Sequence, residues 1–275
     1  MRWVGSHGVN LVRKLNLNQP LPGPGPVDAR RPIPGYGDVL WIEPLASSSY
    51  NALEVRVERP QARGLWLRGA WTWGHSIDDQ SAFLASDGND NTPQDSRHPE
   101  LERAASDFDV RHRVVAAAIW QLPSNGSVWA RGWQLSALFT AETGRPFTPR
   151  VSTDNSNTGN LGGQFGYDRP NEVPVGTAGA VTYEGRAFMT APEYTFGDAG
   201  RNILTGPAFV SVDTAIVRTL ELGGTRRLEL RAEIYNLLNR ANLDLPDSFI
   251  DRPTFGESLS AAPGRLAQIA ARLRF

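Results

Sequence analysis

The sequence of 275 residues contains no cysteine, one lysine (Lys14) and four histidines. Without cysteine the chain has no disulfide bridge, thiolate nucleophile or cysteine zinc site. Neither sign of charge dominates, because 28 basic and 29 acidic side chains leave a net charge of −1, so no basic field exists to bind nucleic acid. No apolar run approaches the ~18 residues of a membrane-spanning helix, and the first residues lack the apolar stretch of a secretion signal.

Seven segments alternate apolar and polar side chains with period two, the pattern of amphipathic β-strands. They cover residues 50–59, 65–74, 109–122, 133–142, 209–220, 226–239 and 266–275. The alternation is most regular in the sixth segment, where Leu228 and Leu230 oppose Glu229 and Arg231. Short breaks that contain turn residues predict that neighbouring segments pair as hairpins.

Short and long connections alternate along the chain. The short ones lie at 60–64, at Asn125 and Gly126, and at 223–224; the long ones cover 5–47, 78–107, 149–206 and 242–263. Structureless loops of that length are uncommon in compact soluble domains, whereas outer-membrane barrels combine short periplasmic turns with long extracellular loops. The sequence therefore predicts an all-β fold, an antiparallel up-and-down transmembrane β-barrel segment of about eight strands in the cell outer membrane. An incomplete first strand is expected to end near Val4, and the last strand is expected to end at the carboxyl terminus.

In such a barrel, alternate residues of each strand face lipid and the lumen. The residues predicted to face lipid are apolar: Leu53, Val55, Val57, Trp71, Trp73, Leu135, Phe139, Leu228, Leu230 and Ile234. The residues predicted to face the lumen are charged: Glu54, Arg56, Arg68, Glu229, Arg231, Glu233, Arg272 and Arg274. In a soluble sandwich, which the alternation leaves open, the charged set would be the solvent face.

Six of the eight tryptophans lie close to predicted strand ends or turns: Trp66, Trp71, Trp73, Trp120, Trp129 and Trp133. Indole rings are favoured between lipid headgroups and acyl chains. These positions fit a membrane interface, and they fit an ordinary sandwich core equally well.

Five stretches carry a family resemblance. Residues 47–79, 107–123, 132–149 and 228–246, together with "FGDAGRNILTGPAFVSVD" at 196–213, resemble the carboxyl-terminal barrel of TonB-dependent receptors. The resemblance is to the Oar-like branch, which usually has a carboxypeptidase-regulatory-like domain in front. It implies a 22-stranded barrel with a plug in its lumen and energy supplied through TonB. Residues 1–275 would then form the C-terminal portion of one barrel domain, and we expect the plug to be absent from this piece.

The last strand alternates apolar residues up to a final aromatic residue. Ile269, Ala271, Leu273 and Phe275 resemble the signal by which the barrel assembly machinery recognises its clients, although an edge strand of any sheet could end in this way. We therefore expect outer-membrane lipid and the assembly machinery as partners, with TonB contacted only through missing N-terminal parts.

No arrangement of reactive side chains predicts an enzyme, a metal site or a cofactor. The acidic loop of Asp78, Asp79, Asp87, Asp90 and Asp95 lacks the ligand series of an EF-hand, and we expect it to be solvated. His98 with Glu100, and Arg111 with His112, lack a third orienting group. The glycine-rich segment 159–166 has neither a following helical pattern nor a phosphate-binding lysine.

Three functions remain open. The first is a segment of a TonB-dependent transporter that takes part in the energy-coupled uptake of a nutrient such as a metal chelate or glycan. The second is a small closed eight-stranded outer-membrane barrel with an adhesive or structural role, and the third is a soluble all-β binding module. No residue identifies the transported molecule.

Overall fold

The computed structural model describes residues 1–81, 92–123, 131–162 and 166–275, and its secondary structure is almost entirely β. Two short 3-10 helices, Asp28–Arg30 and Pro99–Glu102, are found in these residues. No helix in the same residues has the length and apolarity needed to cross a membrane. The strands are β1 (Arg2–Asn16), β2 (Leu40–Ala62), β3 (Leu65–Asp78), β4 (Ala104–Ala105), β5 (His112–Gln121), β6 (Trp133–Glu142), β7 (Pro146–Phe147), β8 (Asn171–Val173), β9 (Val181–Tyr183), β10 (Arg186–Met189), β11 (Leu204–Thr205), β12 (Phe209–Gly223), β13 (Arg226–Tyr235) and β14 (Leu266–Arg274).

One large antiparallel sheet contains the long strands in the order β1-β2-β3-β5-β6-β12-β13-β14, and the short β4 pairs with the end of β3. Each long strand therefore pairs with its neighbours along the chain, which confirms the predicted antiparallel all-β fold. Within the described residues β1 pairs only with β2 and β14 only with β13, so the sheet has two free edges. Because β1 begins opposite Glu54, residues 55–62 of β2 have no partner on that side among the residues that the structure describes.

The turns at one end of the sheet are short. Arg63 and Gly64 join β2 to β3 with φ angles of 52° and 79°, the two positive values that a type I′ hairpin requires. A Cβ atom on Gly64 would lie 2.3 Å from the carbonyl oxygen of Gln121, so glycine is needed there. Gly223 and Gly224 similarly have φ angles of 94° and 61°. The turn predicted at Asn125 and Gly126, like Trp129, lies outside the described residues.

The first strand is longer than the sequence predicted. Residues 5–47 were expected to form a loop, but β1 continues to Asn16 and β2 begins at Leu40, so the connecting loop is only 17–39. The alternation is hidden there because the register shifts between Gly8 and Leu11 and again between Leu11 and Arg13. The extra residue lies in β1 at the first shift and in β2 at the second, and each bulge moves the following side chains of its own strand to the other face.

The register separates the two predicted sets of side chains. Leu53 lies opposite Trp73, and Val55 opposite Trp71; the pairs continue across the sheet to Leu228 opposite Leu273. Because directly paired residues share a face, all ten predicted lipid-facing residues lie on one face, here called the apolar face. The eight predicted lumen-facing residues lie on the other, the polar face. That these faces meet lipid and a lumen stays a prediction.

The long connections fold together at the opposite end from the short turns and form a compact structure, here called the cap. It consists of the described residues that join β1 to β2, β3 to β5, β6 to β12 and β13 to β14. Within it, β8-β10-β9 and β11-β7 form two small sheets. Its apolar core contains Phe147, Val151, Phe188, Ala199, Leu204 and Ile250, all at most 6% exposed. Among the described residues, the principal buried apolar cluster therefore lies in the cap and not on the large sheet.

Candidate functional site

The apolar face has the exposure that a membrane surface needs. Val57 is 67% exposed, Ile269 87% and Leu273 55%. From Leu65 to Trp73, β3 extends for about 26 Å, enough for an outward apolar band when the strands are tilted. Leu53, Leu135 and Ile234 are half-buried by their neighbours on the sheet, and none of the predicted lipid-facing residues is enclosed in a core.

Tryptophans lie near both ends of this face. Trp71 and Trp73 are nearer the cap, where Trp71 stacks on His112 with ring centroids 5.9 Å apart. Trp120 and Trp133 are at the short-turn end, and the guanidinium of Arg218 lies 5.1 Å from the ring centre of Trp133. Trp66 differs, because the register places it on the polar face, where its indole N–H donates to Glu58 at 3.2 Å.

Charged residues of the polar face pair with neighbours along the sheet. Arg231 lies 3.0 Å from Glu233 and 3.8 Å from Glu229 on the same strand. Glu54 accepts a hydrogen bond from Arg2 on the adjacent strand at 2.6 Å. Arg56, Arg68, Arg272 and Arg274 lie on the same face. These pairs run along the surface of the sheet and do not cross an interior.

A cleft of about 510 Å³ opens where the polar face meets the cap. Its lining includes Tyr50, Glu54, Phe108, Arg113 and Arg145. Arg113 and Glu142 form an ion pair of 3.0 Å across β5 and β6 at its side. The size is that of a small-molecule pocket, and the lining offers both charges and aromatic rings.

Buried ion pairs hold the cap together. Arg201 donates to the Asp78 carboxylate and to the backbone carbonyl of Glu102, and Arg169 donates through both terminal nitrogens to Glu102 at 2.9 and 3.2 Å. Asp78 is 2% exposed, so the expectation of a solvated acidic loop was wrong for this residue. The sequence alone does not indicate that Arg201, which is 123 positions away, is the cation that pairs with Asp78.

Two of the other acidic residues of that loop, Asp79 and Asp95, also have partners in the structure. Asp79 accepts hydrogen bonds from Ser47 and Arg103, and Asp95 pairs with Arg97 at 2.8 Å. Asp87 and Asp90 lie outside the described residues. In the described part of the chain, no three His, Asp or Glu side chains form a group that could hold a metal ion.

A second buried network surrounds Asp168. Its carboxylate, with 0% exposure, accepts hydrogen bonds from the Ser156 N–H at 2.6 Å and from Asn160 at 2.8 Å. Its pKa is raised from 3.8 to about 6, mainly by burial and to a smaller extent by the nearby charge of Asp154, while the hydrogen bonds from Ser156 and Asn160 oppose the rise. Gln19 donates to Asn160 and to the carbonyl of Gln94, so this network joins three of the long connections.

The remaining candidates show no reactive arrangement. His98 and Glu100 form an exposed pair at 3.0 Å, and His112 begins β5 beside Trp71. In the glycine-rich segment, Gly159 and Gly162 have positive φ angles, while residues 163–165 are outside the described part. At the end of β14 the proposed assembly signal is open to solvent, with Phe275 93% exposed.

Residues 1–268 match the family described as outer membrane beta barrel domain. The chain belongs to this family. As an outer membrane β-barrel domain, the protein is located in the outer membrane, which the sequence predicted. Comparison with curated proteins and with solved structures found no match.

Sequence reasoning about this outer membrane β-barrel domain missed the cap. Phe188, Arg201 and Asp168 stand in segments without periodicity, so no local pattern marked them as buried. The only available signal was the density of Asn, Asp, Gly and Pro in residues 149–206, which was interpreted as a loop. In a long connection such residues can also build a folded structure through turns and side-chain hydrogen bonds.

Proposed function

We propose that the chain is the C-terminal part of the barrel wall of a TonB-dependent receptor. The whole receptor takes part in energy-coupled uptake of a nutrient such as a metal chelate or glycan, with the short turns toward the periplasm and the cap outside the cell. The plug and the contact with TonB belong to other parts of the longer protein. The wall itself carries no catalytic activity and binds no cofactor.

The open edges of the sheet carry this proposal. Hydrocarbon offers no hydrogen-bond partner to a backbone N–H or C=O, so a sheet that crosses a membrane must close. In the described chain, β14 and residues 55–62 of β2 leave one side of their backbone unpaired. Further strands at both edges would satisfy these groups, which supports a wall wider than eight strands.

The charges of the polar face also support a wide barrel. Eight strands enclose an interior just wide enough for side chains to fill, so the charged residues of a small barrel would pair across it. Here Arg231 pairs along its own strand, and Glu54 and Arg113 pair with the adjacent strand. Such an arrangement leaves the polar face available to a plug or a solute.

The native polypeptide tests the proposal. An antibody raised against the cap should isolate from outer membranes a heat-modifiable protein much larger than 30.1 kDa, which contains plug peptides and crosslinks to TonB in energised cells. A 30.1 kDa polypeptide without a TonB crosslink would overturn it.

The second candidate is a closed eight-stranded barrel, which the number of long strands in the sheet favours. Because the chain has no cysteine, single pairs can be introduced cleanly. Cysteine pairs with one member on β1 and one on β14 should form no disulfide within the native protein if further strands separate them. The pair Glu54→Cys with Thr72→Cys, directly opposite each other in β2 and β3, is the positive control. Efficient β1–β14 disulfides would establish the small barrel.

A further inference from the structure

A groove crosses the apolar face of the sheet. Its floor consists of four small residues on three neighbouring strands, Gly69, Ala116, Ala118 and Ala137, and its volume is about 450 Å³. A Cβ atom added to Gly69 would meet nothing within 4 Å, so the space above the floor is open. Val57 and Phe139 border it, which leaves an apolar depression between larger side chains.

The side chain of an arginine lies at one end of this groove. Arg59 lines it and shares its face, because Arg59 lies opposite Leu67 in the register. It is four residues before the turn at Arg63, which corresponds to about 13 Å along the strand. No carboxylate pairs with the Arg59 guanidinium in the part of the chain that the structure describes.

The position of Arg59 near the short turns indicates that its counter-ion is a lipid headgroup. A charge on the lipid face costs about 2–4 kcal/mol at the bilayer midplane and nearly nothing at the interface. Close to the short turns, an arginine can extend its apolar stem along the sheet and place its charged end among headgroups. Guanidinium binds phosphate oxygens in a bidentate manner, and the adjoining groove offers apolar surface for a hydrocarbon chain.

We propose that Arg59 and this groove form a binding site for one glycerophospholipid of the periplasmic leaflet. The phosphate binds the Arg59 guanidinium, and one acyl chain lies over Gly69 and Ala118 toward Phe139. The site relies on the orientation given above, with short turns toward the periplasm. It does not depend on the presence of a plug, since the groove is on the outer face in a wide or a narrow barrel.

Native mass spectrometry of the whole outer-membrane protein tests the site. After extensive exchange into a mild detergent, the wild type should retain one phospholipid per protein, identified by fragmentation. Arg59→Gln should lower its occupancy at least about tenfold, as expected for loss of a charge-assisted contact. Gly69→Leu, which fills the groove without changing charge, should lower it similarly, whereas Arg59→Lys should retain part of the binding.

Arg56→Gln is the matched control, because Arg56 is on the same strand but on the polar face. All variants are compared only as heat-modifiable, folded barrels; Gly69→Leu keeps the test informative if Arg59→Gln does not fold. Equal phospholipid retention in the wild type, Arg59→Gln and Gly69→Leu overturns the proposal. So does loss in Arg56→Gln as large as in Arg59→Gln, or a retained molecule that proves to be lipopolysaccharide.

Failure of this proposal and failure of the transporter proposal are distinguishable. A 30.1 kDa polypeptide without TonB crosslinking would refute the transporter and leave the groove unchanged. Unaltered lipid binding in the groove variants would refute the lipid site while the mass of the native receptor remained as proposed.

Discussion

Titration of Asp168 should make the cap more stable in mild acid than at neutral pH. The carboxylate is fully buried, and no arginine or lysine pairs with it in the described residues; its hydrogen bonds come from Ser156 and Asn160. Burial is the main reason why its pKa rises from 3.8 to about 6. The folded cap therefore binds this proton more tightly than an unfolded cap does.

The sign and size follow from proton linkage. The stability associated with protonated Asp168 is fully present below pH 3.8, the pKa of the unfolded state, and is lost as the pH rises through about 6. At 1.36 kcal/mol for each tenfold change in proton affinity, the difference amounts to about 3 kcal/mol in the free energy of cap unfolding. At neutral pH almost all of this stability is lost, because Asp168 is then charged in the folded cap.

Hydrogen exchange of the native protein measures the effect. After correction for intrinsic exchange, amides of residues 151–162 should exchange more slowly at pH 4.5 than at pH 7, whereas amides of β6 should show no such difference. Glu172 works in the opposite direction, because the hydrogen bond from Arg186 lowers its pKa. The contribution of Asp168 is therefore the difference in pH dependence between the wild type and Asp168→Asn.

Asp168→Asn removes the titration and also places an amide N–H group near the Ser156 N–H. We expect the variant to be less stable at every pH, with a flatter pH profile between 4 and 6. The same pH dependence in the variant as in the wild type would refute the assignment of this titration to Asp168. Faster exchange of the wild-type cap in acid, with no difference between the two proteins, would refute it equally.

Other variants test the packing and the assembly of the protein. Arg201→Met should destabilise the cap by about 3–5 kcal/mol, because it leaves the Asp78 carboxylate buried without its cation, and urea titration of cap fluorescence or exchange should show it. Phe188→Ala should cost about 3–5 kcal/mol by opening a cavity in the cap core, measured in the same way. Gly64→Val should slow assembly of the β2–β3 hairpin, seen as less heat-modifiable protein, since a Cβ there meets the backbone. Deletion of Phe275 should lower the outer-membrane level of the parent protein.

Conservative changes serve as controls for this group. Phe188→Leu should retain most of the stability, and a loss equal to that of Phe188→Ala would contradict the packing argument. Arg201→Met with unchanged exchange in the cap would contradict the role of the buried pair. An Arg274→Gln variant should assemble normally, and an unchanged outer-membrane level after deletion of Phe275 would remove the assembly signal.

The sheet was largely predictable because its strands are local and periodic. The β6 bounds, Trp133–Glu142, are those that the alternation indicates. The pairing of β2 with β3, of β5 with β6 and of β12 with β13 follows from short turns. The pattern overshoots at β13, which ends at Tyr235 because Asn236 adopts a φ of 49° and its N–H donates to Asp213. A strand end set by a single side-chain hydrogen bond leaves no trace in hydrophobic periodicity.

The cap was not predictable for a different reason. Its core joins Phe147 and Ile250, about a hundred positions apart, and its ion pairs join distant loops. No segment of it is amphipathic with a regular period, so burial depends on contacts that exist only after the sheet has brought the loops together. The same limit concealed the strand character of residues 5–16, where two bulges interrupt the register.

The large separation in sequence between Arg201 and Asp78 also implies that the sheet and the cap fold in a definite order. Three pairs of neighbouring strands, β2–β3, β5–β6 and β12–β13, are joined by short turns, which cost little chain entropy to close. The Asp78–Arg201 pair of the cap instead joins residues 123 positions apart, and such non-local contacts form slowly. The hairpins therefore form first. The cap folds only after pairing of the strands has brought its distant segments close together. In a chain arrested during insertion into the membrane, the cap segments would therefore be unfolded and sensitive to protease.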